Sequence, residues 1–383
     1  MLKYPDTHRN LVPRLSRLSS VALRWFRGVR EGVIEGLEDF TVLIGRNGVG
    51  KSTILEALYL ASAWLEPVDP IRGVAKYSYV ISRRGGRDGA ARDVLWYMMD
   101  TGKDVSITLN ANGEKAEFLL NYSANRLYLK LTEHLKNLLK QRLRGGERFD
   151  LVRLDDGRAA LCSYPPRGEI FTGRDLVFSL LEEHMPSLLD ILRSTVLIDS
   201  YLLSRPTLVE KYSWVKILSR RLDREVVRVL REEFEVDAEG LTYAPVGGSN
   251  VLMLQLRDTS IRVDDLGDGA RLATLMMLTV LASRPRLLLV EEPETKMHPG
   301  GLRALTEALL RAAREAGSQV IATTHSLEFV KIGLEVAEQL GLGSALIHLE
   351  RSRDGVLSVR RLSKPDADLL ADLGIDPRFL HLF

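Results

Sequence analysis

Cysteine is nearly absent from this sequence of 383 residues, which contains only Cys162. One thiol cannot form an intramolecular disulfide or a multi-thiolate metal site, so both are excluded. No apolar run reaches the roughly 18 residues that a membrane-spanning helix requires, and the N-terminal segment lacks the hydrophobic stretch of a secretory signal. These absences predict a cytoplasmic protein without a membrane partner.

An excess of charge of either sign is also lacking. The chain has 53 Lys and Arg residues against 51 Asp and Glu residues, so its formal net charge is +2. The overall charge therefore does not require a polyanionic partner. The composition, with 45% hydrophobic and 27% charged residues, is typical of a globular protein, and the length predicts about two or three domains.

A phosphate-binding pattern is present near the N-terminus. Residues 40 to 45, FTVLIG, form an apolar run rich in β-branched residues, which RNGVGKST and a helical pattern follow. Residues 45 to 52 thus fit G-x-x-x-x-G-K-[ST] between a strand and a helix. Glycines allow backbone N–H groups to surround phosphate oxygens, and a helix N-terminus favours anions. The residues predicted to bind nucleotide phosphates are Gly45, Arg46, Asn47, Gly48, Val49, Gly50, Lys51, Ser52 and Thr53.

A pair of adjacent carboxylates ends a second apolar run. In LLLVEEPETKMHP, residues 287 to 299, Glu291 and Glu292 follow four apolar residues directly. Ionised carboxylates rarely leave water unless a cation meets them. In a P-loop nucleotidase, one acidic residue helps to bind Mg²⁺ beside the loop hydroxyl, and a second polar group activates water. We therefore predict Ser52 and Glu291 as the magnesium ligands, with Lys51 on the phosphates and Glu292 as general base.

A third apolar run ends in a histidine. The segment QVIATTHS spans residues 319 to 326 and places His325 just after the run. Ligands of open parallel sheets gather at the carboxyl ends of the strands, so the ends at Gly45, Glu291 and His325 can converge on one site. We expect His325 to sense the γ-phosphate and to orient the attacking water.

The three motifs together resemble a known family. GRNGVGKST, LLLVEEPETKMHP and ATTHS, in that order, are similar to motifs of ABC-type ATPases of the structural-maintenance, double-strand-break-repair and RecF class. The likeness is greatest to the OLD-like ATPases of the AAA15 and AAA21 type. The resemblance implies ATP and Mg²⁺ as cofactors and a homodimer of heads around two ATP molecules. The residues after His325 are too few for the nuclease (Toprim) domain that many OLD-like proteins carry.

In this family a signature motif from one subunit completes the site of the other. The corresponding stretch is VDDLGDGARLATLMMLTVLAS, residues 263 to 283. Against L-S-G-G-Q, Leu266 and Gly269 match, Gly267 stands where serine is usual, and Asp268 replaces the first glycine. The resemblance assigns Gly267, Gly269 and Arg271 to nucleotide binding, with Arg271 supplying charge in place of the serine hydroxyl. An ordinary helix start with a glycine-rich turn remains an alternative.

Two further departures concern polar residues. ABC proteins usually place a glutamine between the phosphate loop and the signature, but no glutamine occurs between Ser52 and Lys140. This role is vacant or is filled by another residue. Glu291 stands where aspartate is commoner, which keeps the charge and lengthens the side chain by one methylene.

Between the motifs, alternating segments from 93 to 130 predict an antiparallel meander. Leucines from 131 to 139, and a stripe from Trp214 to Leu230, predict helices that pack within an inserted lobe. The predicted fold is α/β: a P-loop NTPase of the ABC ATPase head type, with a mainly parallel central sheet, an antiparallel β lobe and an inserted helical domain. Residues 1–75 would form the first part of the head, 76–130 the β lobe, 131–245 the inserted helical or mixed lobe, and 246–383 the rest of the head.

Arginines occur in clusters, which bears on nucleic-acid binding. Such clusters are usually solvated surfaces, and DNA would need several aligned phosphate contacts. The resemblance, and not the arginine clusters, therefore suggests DNA as a partner. The clusters are Arg14, Arg17, Arg24 and Arg27; Arg83, Arg84 and Arg87; Arg142 and Arg144; and Arg220, Arg221, Arg224 and Arg228.

The motifs predict an ATPase whose ATP-driven head dimerisation acts on DNA or on a partner nuclease or toxin, in DNA repair, chromosome maintenance or antiviral defence. One alternative is a nucleotide-gated scaffold with little turnover that holds or releases such a partner. A transporter subunit is disfavoured by the wide motif spacing and the absent glutamine. A GTPase is disfavoured because no N-K-x-D motif occurs.

Overall fold

Two large β-sheets organise the part of the chain that the computed structural model describes. The described residues are 16–84, 91–143, 149–233, 237–246, 249–363 and 365–366. One large sheet is antiparallel, the other is mainly parallel, and a third, small sheet has three strands. The predictions for Arg14, Arg87 and Arg144 lie outside these residues.

The antiparallel sheet contains eight strands. They are β1 (Leu18–Phe26), β2 (Val29–Glu35), β4 (Val105–Ala111), β5 (Glu114–Asn121), β6 (Arg126–Lys130), β7 (Leu151–Leu154), β8 (Arg158–Cys162) and β9 (Ile170–Gly173), in the order β2-β1-β4-β5-β6-β7-β8-β9. Val105, Ile107 and Leu109 are buried at every second position of β4, as expected for a strand with one face in the core. The predicted antiparallel β lobe is confirmed, although the meander begins at β4 because 3₁₀ turns occupy Arg92–Leu95 and Tyr97–Met99.

The parallel sheet carries the strands of the three motifs. Its strands are β3 (Phe40–Gly45), β10 (Thr195–Ile198), β14 (Leu287–Glu291), β15 (Gln319–Thr323), β16 (Ser344–Arg351) and β17 (Leu357–Leu362), in the order β10-β14-β15-β3-β16-β17. All pairings are parallel except that of β17 with β16. Every residue of β3 is buried, which explains its continuous apolar run. The predicted central sheet is confirmed.

Eleven α-helices accompany these strands in the described residues. They are α1 (Lys51–Ser62), α2 (Lys76–Ser82), α3 (Glu133–Leu143), α4 (Arg174–His184), α5 (Pro186–Arg193), α6 (Ser200–Leu203), α7 (Pro206–Ser219), α8 (Asp223–Glu233), α9 (Asp268–Ser283), α10 (Pro299–Ala316) and α11 (Leu327–Gln339). Every residue of α1 except Ser52 is buried, since α1 contacts strands of both large sheets. Among the described helices, none has the length and apolar character needed to cross a membrane.

The inserted segment combines helices with the small sheet. Strands β11 (Ala238–Val246), β12 (Ser249–Leu256) and β13 (Ser260–Arg262) form that sheet in the order β11-β12-β13. Helices α7 and α8 pack against α9. The stripe from Trp214 to Leu230 belongs to two helices, because the backbone of Arg221 has a φ of 54° and interrupts the helical path.

Sheet membership does not follow the domain boundaries that the sequence predicted at residues 75, 130 and 245. Strands β7, β8 and β9 extend the antiparallel sheet beyond residue 130, and β10 forms an edge of the parallel sheet. Each of these strands has four or five residues. Strands this short offer too little alternation to be recognised by periodicity.

Gln319 joins the two large sheets at the start of β15. It is 1% exposed, and its amide nitrogen donates to the carbonyl oxygens of Leu18 (2.8 Å) and Glu38 (3.0 Å). Its amide oxygen accepts from the backbone N–H of Leu18 at 2.8 Å. Gln319 thus satisfies backbone groups of β1 and of the segment that leads into β3.

We predict that Gln319→Leu lowers the free energy of unfolding by about 3 kcal/mol, since a buried unpaired backbone group costs roughly 1–3 kcal/mol. Urea denaturation followed by circular dichroism measures the change. Gln339→Leu is the matched control, because Gln339 is exposed at the end of α11 and surface changes stay within about 0.5 kcal/mol. Equal stabilities of the two variants would contradict the prediction.

Candidate functional site

A glycine-containing loop connects β3 to α1. Gly45 has a φ of 140°, and a Cβ there would lie 2.4 Å from the carbonyl oxygen of Leu349 on β16, so this position accepts only glycine. Gly50, just before α1, has a φ of 118°. At Gly48, with a φ of 75°, a Cβ would meet no atom within 4 Å. The loop is therefore fixed against the sheet at one end and faces open space at its middle.

The first residue of α1, Lys51, places a buried ammonium inside this loop. Lys51 is 5% exposed, and its Nζ donates to the carbonyl oxygens of Gly45 (2.8 Å) and Arg46 (3.3 Å). Burial lowers the pKa of Lys51 to about 8, although nearby Glu292, Glu294 and Glu291 act to raise it. The carboxylates of the acidic motif EEPE, residues 291 to 294, therefore lie close enough to stabilise the Lys51 charge.

The strand register explains how the acidic motif reaches Lys51. Strands β14 and β15 pair in parallel with Glu291 opposite Thr323, and β15 pairs in parallel with β3. The carboxyl ends of these strands consequently meet at one edge of the sheet, where ligands of open parallel sheets bind.

Glu292 and His325 face each other just beyond that edge. The Nε2 of His325 lies 3.5 Å from Oε1 of Glu292, and both side chains are partly exposed. Glu292 has a φ of 48°, and its backbone N–H donates to the carbonyl oxygen of Thr323 at 3.0 Å. The Glu292 carboxylate and the His325 imidazole thus lie side by side, and both are accessible to water.

Glu294, to which the sequence analysis assigned no role, holds the turn that contains His325 in place. Its Oε1 accepts hydrogen bonds from the Thr324 hydroxyl at 2.6 Å and from the backbone N–H of His325 at 2.9 Å. The carboxylate therefore fixes the turn after β15. The available signal was the third glutamate in EEPET, which the sequence interpretation left without a role.

Asp199 and Arg83 are two further residues that the sequence reasoning did not place here. Asp199 follows β10, whose last residue Ile198 pairs with Val290, so Asp199 lies beside Glu291 at the sheet edge. The guanidinium of Arg83, which follows α2, contacts Glu291 directly. The apolar run TVLI ending in Asp199 was a signal of the same kind as LLLV before Glu291. No comparable signal in the sequence indicated that Arg83 pairs with Glu291, which is 208 residues away.

The predicted signature lies at the start of α9. Gly267 is the N-cap residue and provides no side-chain cap, and Gly269 lies in the first turn. Arg271 donates to Oδ1 of Asp268 at 3.2 Å, and Lys296 lies 3.1 Å from Oδ2 of the same residue. Asp268 therefore ties the signature to the segment after the acidic motif. A cavity of about 460 Å³ is lined by Arg271, Lys296, Glu291 and Glu292, among others.

These motifs lie within the part of the chain that matches a known protein family. The sequence profile of the family described as "AAA domain, putative AbiEii toxin, Type IV TA system" matches residues 40–171 and 215–331. The match spans more than half of the chain and includes the glycine loop, the acidic motif and His325. The chain belongs to this AAA family. The resemblance to AAA21-type ATPases that the motifs predicted is thereby confirmed.

Individual relatives of this AAA-family chain are distant. It is similar to the ATP/GTP phosphatase of Helicobacter pylori, with 21% identity over 331 residues, 82% of this chain and 87% of the relative. It is 28% identical over 113 residues to an uncharacterized protein of Methanocaldococcus jannaschii, covering 30% of this chain and 99% of the relative. Among solved structures, the SMC head domain from Thermotoga maritima matches with 15% identity and a TM-score of 0.43, over 91% of this chain and 99% of that chain.

The residues of the AAA-family site fit a nucleotide with a divalent cation. The open loop at Gly48 leaves space for phosphate, and the Ser52 hydroxyl and Glu291 carboxylate provide the oxygen ligands that Mg²⁺ prefers. In the described residues, no group of three or more His, Cys, Asp or Glu side chains is arranged to hold a metal ion. Such a group is not required, because Mg²⁺ at phosphate sites takes most ligands from water and phosphates.

We predict that Glu292→Gln lowers the pKa of Lys51 below about 8, because it removes a carboxylate that stabilises the ammonium. Competitive acylation as a function of pH, read by mass spectrometry, measures the pKa of Lys51 in the nucleotide-free protein. Glu239→Gln, at an exposed position of β11, is the control and should leave the value unchanged. An unaltered pKa in Glu292→Gln would separate Glu292 from the Lys51 site.

We also predict that Glu294→Ala lowers the free energy of unfolding by about 2 kcal/mol, because hydrogen bonds to a charged group contribute roughly 1.5–3 kcal/mol. Urea denaturation measures this loss, and hydrogen exchange of peptides over residues 319–327 should become faster. Glu294→Gln retains an oxygen acceptor and should lose less. If both variants exchanged at the parental rate, Glu294 would not hold the histidine turn.

Proposed function

We propose that this AAA-family protein hydrolyses ATP to ADP and phosphate at the edge where β3, β14 and β15 end. The observation that carries the proposal is the buried Lys51 ammonium. It lies within a glycine-containing loop, and the negative charges of Glu291, Glu292 and Glu294 stabilise it. A cation facing both phosphate-binding backbone and carboxylates is the arrangement that phosphoryl transfer requires.

The glycine loop and α1 would bind the phosphates. Backbone N–H groups of residues 45–53 surround the phosphate oxygens, and Lys51 exchanges its loop carbonyl partners for the β- and γ-phosphates. Ser52, the one residue of α1 that is not fully buried, would hold Mg²⁺ together with Glu291. The bound ion would neutralise charge that develops on the phosphate oxygens.

Glu292 would accept a proton from the attacking water, with His325 orienting that water. The partial exposure of both side chains and their 3.5 Å separation support these roles, since a base must reach both its water and its orienting partner. Glu294 would act indirectly by fixing the backbone of His325.

Two protomers would dimerise around two nucleotides in this proposal. The phosphates bound by the partner subunit would then contact Gly267, Gly269 and Arg271. Because no side chain caps the N-terminus of α9, its backbone N–H groups are available to bind those phosphates. The output would be an action on DNA or on a partner nuclease or toxin, as the resemblance suggests. Arg83 is unsuited to DNA contact because it is 6% exposed and paired with carboxylates.

We predict that Glu292→Gln retains ATP binding but lowers the hydrolysis rate by about 100-fold or more, because the general base is lost. Phosphate release at saturating ATP measures the rate, and light scattering after size exclusion should show an ATP-dependent dimer that persists. Glu328→Gln, at the first turn of α11, is the control and should hydrolyse at the parental rate.

A Glu292→Gln variant that hydrolysed ATP at the parental rate would remove Glu292 from the reaction. If the parental protein bound ATP and dimerised with negligible phosphate release, with or without DNA, the nucleotide-gated scaffold would be favoured. Competition between ATP and GTP in the same assay determines the base preference, which is relevant because the Helicobacter pylori relative is named an ATP/GTP phosphatase.

A further inference from the structure

A buried group of charged side chains lies directly behind the proposed magnesium ligand. The guanidinium of Arg83 is 6% exposed and contacts three carboxylates: Glu291, Asp199 (3.4 Å) and Glu56 (3.3 Å). Glu56 belongs to α1 and Asp199 follows β10. One guanidinium therefore connects the phosphate-loop helix, the edge strand and the acidic motif.

The three carboxylates differ in how much they depend on Arg83. Glu56 is also paired with Arg27 (2.6 Å) and Arg84 (2.8 Å). Asp199 is also paired with Arg72 at 2.9 Å and accepts from the backbone N–H of Leu202 at 3.0 Å. Arg83 would thus keep two anionic partners if it left Glu291, and both partners would remain compensated if it moved.

We propose that Arg83 occupies the place beside Glu291 that a divalent cation takes when nucleotide binds, so that Arg83 competes with the metal. This inference rests on the proposed function, in which Glu291 is a metal ligand. Arg83 contacts Oε2 of Glu291, and a divalent ion bound to the same carboxylate would lie close enough to the guanidinium for the two positive charges to repel. Metal binding therefore favours withdrawal of Arg83 from Glu291 toward Asp199 and Glu56.

The competition has a functional consequence. Without nucleotide, Glu291 is already neutralised by Arg83, so free metal gains little by binding there. Nucleotide phosphates bring negative charge that attracts the metal to this place. Metal and nucleotide would consequently bind together rather than separately, and Arg83 would be a positioning residue for Glu291.

The test measures metal binding directly. Mn²⁺ replaces Mg²⁺ and is followed by electron paramagnetic resonance, with the non-hydrolysable analogue adenylyl imidodiphosphate present at saturation. In Arg83→Gln we expect Mn²⁺ to bind about fivefold more tightly or better, because the charged hydrogen bond that competes for Glu291 is lost. Arg84→Gln is the matched control: Arg84 also pairs with Glu56, and its variant should bind Mn²⁺ as the parent does.

Equal or weaker Mn²⁺ binding in Arg83→Gln, with Arg84→Gln unchanged, would overturn the competition while leaving the proposed function intact. If the parental protein bound no Mn²⁺ with the analogue, the proposed function and this inference would both be overturned.

A second measurement covers the case in which Arg83→Gln does not fold. In the parental protein with bound analogue, adding Mg²⁺ should speed hydrogen exchange of peptides over residues 76–84, since Arg83 loses one of its anchors. Addition of the analogue in the presence of a chelator provides the reference without metal. Unchanged exchange on adding Mg²⁺ would overturn the inference.

Discussion

The buried ammonium of Lys51 is the interaction on which the rest of the site depends. A charge removed from water is costly unless other groups replace the lost solvation. Two loop carbonyls and the field of three glutamates supply that replacement. The parallel pairing of β14 with β15 and of β15 with β3 brings these glutamates to the same sheet edge as the loop. The loop carbonyls and the acidic residues thus share the solvation of one lysine.

The sequence predicted the strands whose ends meet at the site better than it predicted the contacts between side chains there. Gly45, Lys51 and Glu291 were identified because each ends or follows an apolar run whose length and flanking residues specify a strand of a parallel sheet. Glu294 was missed because its hydrogen bonds lie across a turn that periodicity does not describe. Arg83 was grouped with surface arginines, since its partner Glu291 is 208 residues away and no local pattern encodes such a contact.

The sheet membership of short strands was less predictable for a related reason. The strands from β7 to β10 have four or five residues, and their membership in a sheet depends on neighbours that lie far away in the chain. The helical stripe from Trp214 was visible, but the break at Arg221 depends on a positive φ that the stripe does not indicate. Tertiary packing decides such features.

The ion pairs that Glu56 and Asp199 form with other arginines indicate that Arg83 does more than neutralise these two carboxylates. Both carboxylates have fully buried side chains, and both have cationic partners besides Arg83. A network built for stability alone would not need a fourth arginine that also reaches Glu291, because apolar packing can replace buried ion pairs with little loss. The extra contact is explained if Glu291 must stay neutralised until a metal arrives. The cost of burying charge, which governs Lys51, would then also couple the binding of metal to the binding of nucleotide.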